Sequence, residues 1–88
     1  MRYLIQKEAI RNYPRKAIRK REEGIVELIF SLNEDGVIKK VDIGNQTDAT
    51  SNLIKSSLIT IKNLSPFKKD AILKKRRNFS IKILYKIN

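Results

Sequence analysis

A chain of 88 residues with neither cysteine nor histidine has room for one small core, burying roughly 60% of its unfolded surface, and lacks disulfides, thiolate metal ligands and the usual neutral-pH base. Its formal charge of +11 sits at the two ends: residues 1–21 carry eight Lys/Arg against Glu8, residues 66–88 carry eight against Asp70, and residues 22–65 carry four Lys against seven acids. Such asymmetry points to an acidic or anionic partner, or else to solubility and protection of a sheet edge.

No apolar run exceeds three residues, as in Leu28-Ile29-Phe30, far short of the ~20 residues that span a bilayer, and no signal-peptide pattern is present. Residues 2–12 hold Leu4, Ile5, Ala9 and Ile10 among charged neighbours, a short helical pattern that can fray. Tyr13-Pro14 follows, with Pro14 suited to a first helical position. A second short helix to about Arg21 then turns Ala17 and Ile18 inward and Arg15, Lys16, Arg19, Lys20 and Arg21 outward, and Gly24 ends it.

Next comes a hairpin. Val26, Leu28, Phe30 and Leu32 alternate with Ile25, Glu27, Ile29 and Ser31, and Asp35-Gly36 between two apolar runs is a strong hairpin signal. On the return, Val37 to Ile43, the apolar positions slip from Ile38 to Val41 and Ile43, which implies a bulge near Lys39-Lys40. After the loop Gly44 to Thr47, Asp48 or Thr50 can cap a helix over 50–63, with Ile54, Leu58 and Ile61 in an apolar stripe widened by Leu53. Asn63-Leu64-Ser65-Pro66 stops it, and a basic connection over 67–77 leads to the last segment.

That segment is the most informative one. Phe79, Ile81, Ile83, Tyr85 and Ile87 alternate with Ser80, Lys82, Leu84 and Lys86, which predicts a strand with one buried face. With no hairpin partner after it, this strand must pair with an earlier one and can leave its other edge open. An open edge is a docking surface for an extended peptide. The expected fold is α+β: two short N-terminal helices, a β-hairpin, one longer helix and a C-terminal strand, with the three strands in an antiparallel sheet and the helices on one face.

Catalytic chemistry is poorly served. Hydroxyls without histidine need a lysine or N-terminal amine base, and the acidic pairs Glu22-Glu23 and Glu34-Asp35 fall at solvated places that do not raise a carboxyl pKa. No cofactor or metal is expected, and the chain is read as a non-enzyme. A basic pI near 10.2 is the footprint of phosphate recognition. Yet Phe30, Phe79 and Tyr85 alternate with the core, and the open face would offer Ile25, Glu27, Ile29, Lys82 and Leu84, no platform for stacked bases. Nucleic acid is therefore a minor alternative and not an expected partner.

The order Tyr13-Pro14, Ala17, Gly24-Ile25-Val26, Phe30, Asp35-Gly36, Val41-Asp42-Ile43, a helix from Leu53 to Ile61, Pro66, and a strand from Phe79 to Ile87 resembles the C-terminal domain of the TonB family. The ending Ile83-Leu84-Tyr85-Lys86-Ile87-Asn88 is similar to that family's Ile-Leu-Phe-Lys-Ile-Asn. The resemblance covers about residues 10–88 and makes residues 1–88 one such domain, with 1–12 partly disordered or linker-derived. It implies a periplasmic energy-transducing domain whose inner-membrane anchor lies outside this chain, so Met1 is expected not to be the natural start. It also implies ExbB and ExbD as the source of proton-motive force, met through segments missing here.

The implied partner is the TonB box of an outer-membrane transporter, gripped as an added strand during uptake of iron-siderophore, haem, cobalamin or similar cargo. The expected peptide edge comprises Arg76, Arg77, Asn78, Ser80, Ile81, Lys82, Ile83, Leu84, Tyr85 and Lys86, with Arg76, Arg77, Lys82 and Lys86 attracting acidic residues beside the peptide. Phe79 and Tyr85 are expected mainly as core. Ile10, Arg11, Asn12, Tyr13 and Pro14 form a second expected contact, with Tyr13-Pro14 equally read as fixing a helix start. A TolA-like envelope interaction domain is the alternative in the same fold class. A monomer is expected, with a strand-paired homodimer as the other outcome.

Overall fold

The computed structural model describes residues 2–67 and 78–87. Its elements are α1 (Arg2–Arg11), α2 (Arg15–Arg19), β1 (Gly24–Leu32), β2 (Ile38–Ile43), α3 (Ser51–Leu64) and β3 (Asn78–Tyr85). β1 is the central strand, flanked by β2 and β3, both antiparallel to it. The strand latest in sequence is therefore an edge strand.

The hairpin forms as its residues dictate. Val26, Leu28, Phe30 and Leu32 are buried on the inner face. Asn33 Oδ1 accepts from the N–H groups of Asp35 (2.9 Å) and Val37 (3.0 Å), an Asx-type turn, and Gly36 takes the left-handed φ of 81°. Ser31 pairs with Lys40 and Leu32 with Ile38, so Lys39 is the extra residue of the expected bulge.

One core lies between the inner sheet face and the helices. Phe30 stacks on Phe79 (centroids 5.4 Å) and Phe67 (6.2 Å). α1 contributes Ile5 and Ala9, both fully buried, while Leu4 and Ile10 of the expected helical pattern are exposed.

Three expectations are corrected. Ile18 is 44% exposed and only Ala17 of α2 is buried, because adjacent helical positions diverge by about 100° and a one-turn helix cannot turn both inward. Pro14 precedes that helix as its N-cap residue, with extended ψ of 134°. Gly24 does not end the helix: Arg21 supplies the left-handed residue (φ 55°). The N–H of Glu22 reaches the Ala17 carbonyl (2.8 Å) and that of Arg21 the Ile18 carbonyl (3.0 Å), the Schellman pattern. Gly24 instead opens β1, where an added Cβ would sit 2.2 Å from the Asp48 carbonyl oxygen.

α3 starts from Thr50, whose hydroxyl accepts from the Leu53 N–H (3.4 Å), while Asp48, two residues earlier, is held by a backbone bridge to Ile25. Its buried positions are Leu53, Ser57, Thr60 and Ile61; Ile54 and Leu58 are only partly buried. The inward face is thus turned by about one residue from the apolar stripe. The cause is Tyr85, whose phenol is fully buried and meets Ser57 Oγ at 2.8 Å. A buried hydroxyl without a partner is costly, and Ser57, also bonded to the Leu53 carbonyl (2.8 Å), provides one.

Candidate functional site

β3 buries Phe79, Ile81, Ile83 and Tyr85 and exposes Asn78, Ser80, Lys82 and Leu84, as its alternation predicts. The direction of its backbone groups follows from the ladder. Ile25 exchanges both hydrogen bonds with Asp48 on the β2 side (3.0 and 2.8 Å), so its partner Leu84 turns its own N–H and C=O away from β1. Antiparallel alternation then directs Ile81 and Ile83 to β1, and Ser80, Lys82 and Leu84 outward. Ile81, Ile83 and Tyr85 of the expected peptide edge accordingly serve the core and the ladder.

The outward groups are not equivalent. Gln6 of α1 donates from Nε2 to the Leu84 carbonyl (2.9 Å) and accepts from the Leu84 N–H at Oε1 (2.9 Å). On the opposite, β1 side, just beyond the strand, the N–H of Ile87 reaches Glu23 Oε2 (2.6 Å). Among the described residues, nothing closes the outward N–H and C=O groups of Ser80 and Lys82. Gln6 was not legible as a site residue: it flanks the buried positions Ile5 and Ala9, and no signal in the sequence aims its amide at a strand 78 residues away.

The outer sheet face is partly roofed. Glu27 is 9% exposed because the loop after β2 folds onto it. Gln46 N–H donates to Glu27 Oε1 (3.1 Å), Gly44 N–H to the Glu27 carbonyl (2.9 Å), and Ser80 Oγ to Oε2 (3.4 Å). Ile25, Ile29 and Leu84 remain exposed beside it. Phe30, Phe79 and Tyr85 are inside, so this face has no stacked aromatics for bases. The described residues hold no acidic cluster fit for a metal.

The second expected contact is dispersed. Ile10, Arg11 and Asn12 are exposed, and Arg11 pairs with Glu8 at 4.0 Å. Asn12 and Pro14 border an open groove against Asn52, Lys55 and Ser56 of α3. Tyr13 lies edge-on to Tyr85 (5.2 Å, 83°) and its hydroxyl donates to the Glu22 carbonyl, which anchors the chain between α1 and α2. Burial, then the Glu23 carboxylate, raises the Tyr13 pKa, and burial raises that of Tyr85. Lys82 and Lys86 are exposed cations at the edge, whereas Arg76 and Arg77 lie outside the described residues.

Residues 10–87 match the family described as Gram-negative bacterial TonB protein C-terminal. Two solution NMR structures of the Helicobacter pylori TonB C-terminal domain are similar in fold, each with a TM-score of 0.70 and 25% identity. The shorter covers 96% of this chain and 86% of its own length, the longer 98% and 79%. No curated protein sequence gives a significant match.

Proposed function

Because the chain belongs to the family of Gram-negative bacterial TonB C-terminal domains, we propose that it binds the TonB box of outer-membrane transporters by adding that peptide as a strand beside β3. Energy from the inner-membrane proton gradient, delivered through ExbB and ExbD, then drives uptake of cargo such as iron-siderophore, haem or cobalamin. The domain works in the periplasm and performs no catalysis of its own. The observation that carries this reading is the edge position of β3 in the sheet of the described residues, with no described residue closing the outward groups of Ser80 and Lys82.

Magnitudes support a usable grip. Four backbone hydrogen bonds at Ser80 and Lys82 contribute ~4 kcal/mol net. Burial of a few peptide side chains against the outer face of β3 adds several more. After rigid-body and ordering costs, the complex falls in the micromolar to millimolar range. Lys82 and Lys86 favour a peptide with acidic residues beside the paired stretch.

Lys82→Pro removes an outward N–H and leaves the β1 ladder its bonds, so the variant should fold and bind a TonB-box peptide at least tenfold more weakly. Calorimetric titration, with circular dichroism to verify folding, measures this. Undiminished affinity in the folded variant would refute strand addition at this edge.

A further inference from the structure

The amide of Gln6 makes with Leu84 the same pair of hydrogen bonds that an added strand would make: one N–H donated to the Leu84 carbonyl and the Leu84 N–H accepted, both at 2.9 Å. It is held there by the two core residues that bracket it, Ile5 and Ala9, both fully buried. We propose that Gln6 is a specificity-determining residue that sets the C-terminal limit of the docking edge, so that the domain takes a short extended segment paired over Ser80 and Lys82 that ends or turns away before Leu84. This rests on the strand-addition reading above.

The argument is one of exchange. A peptide that continues past Lys82 must displace the Gln6 amide, losing two hydrogen bonds at Leu84 and gaining two of the same kind. The exchange is even, while ordering each further peptide residue costs conformational entropy. Pairing beyond Lys82 therefore brings no affinity. Partners are thereby selected by where their extended stretch stops as well as by its side chains.

Gln6→Ala opens Leu84 and keeps a strong helix former in α1. The probes are a short TonB-box peptide and the same peptide lengthened by about three residues at each end, enough to run ~10 Å further along the edge. The wild-type protein should bind both equally. The variant should bind the short peptide unchanged and the long one about tenfold tighter, the effect of two newly available hydrogen bonds.

Amide exchange without peptide is a separate readout: the Leu84 N–H should exchange much faster in Gln6→Ala, with Val26 and Leu28 in the central strand unaffected. Peptide binding with unchanged Leu84 exchange, or a wild-type protein that already prefers the long peptide as strongly as the variant does, overturns the proposed limit alone. Binding of neither peptide by either protein, with Leu84 exchange accelerated, overturns strand addition and the limit with it.

Discussion

Thr60 has the least comfortable environment of any single residue described. It is 1% exposed, and its hydroxyl oxygen has no hydrogen-bond partner among the described residues. Its neighbour Ser57, one turn earlier on the same inward face, is satisfied twice, by the Leu53 carbonyl and the Tyr85 hydroxyl. An unpaired buried hydroxyl costs on the order of 1–3 kcal/mol. Thr60→Val keeps the shape, and it should therefore raise stability by about 1 kcal/mol, or roughly 4–8 °C in Tm for a domain of this size. Ser57→Ala should do the opposite by orphaning Tyr85. Thermal unfolding of both variants checks the sign. Arg21 shows the limit of reading at this scale: a left-handed residue is expected at glycine, and Gly24 stood nearby, but hydrogen bonds from residues 21 and 22 had already closed the helix.

Elements were more legible than residues where one local rule decided the outcome. The hairpin, its bulge and the buried face of β3 each follow from a spacing of two plus a turn residue, and the structure keeps all three. Gly36 makes the dependence testable. It holds φ at 81°, and a Cβ there would lie 2.2 Å from the Phe67 carbonyl oxygen. The Phe67 N–H also donates to the Gly36 carbonyl (2.9 Å), so the turn clamps the segment that follows α3. Gly36→Ala meets both the conformational penalty and a backbone clash, and should cost at least ~2 kcal/mol, seen as a lower denaturation midpoint with an unchanged slope.

What was less legible depended on contacts between elements. The inward face of α3 follows Tyr85 and the outward groups of Leu84 are taken by Gln6, and neither pairing has a local signature. Nor did any spacing show that β1, rather than β2, would receive the last strand. That choice is what makes β3 an edge.

For the whole molecule, charge bears on the use proposed for the β3 edge. The chain carries +11, and among the described residues Lys82 and Lys86 stand exposed at the edge with no ion pair. Two copies could pair β3 with β3 about a two-fold axis. A pairing centred on Lys82 sets two ammonium groups opposite each other within a complex of twice the net charge, which opposes association. Salt screens that repulsion, with a Debye length of ~10 Å at 0.1 M and ~3 Å at 1 M. The same screening weakens attraction to a peptide with acidic flanks. The two equilibria of one edge should therefore respond to salt with opposite signs. Raising salt from about 0.05 M to about 0.5 M should lower affinity for an acidic-flanked TonB-box peptide several-fold, and should leave a neutral-flanked peptide nearly unchanged. Over the same range, sedimentation should show monomer at low salt and any dimer only at the high end. A dimer that is strongest at low salt would mean that copies associate through some surface other than the lysine-bearing edge, leaving that edge to the peptide alone.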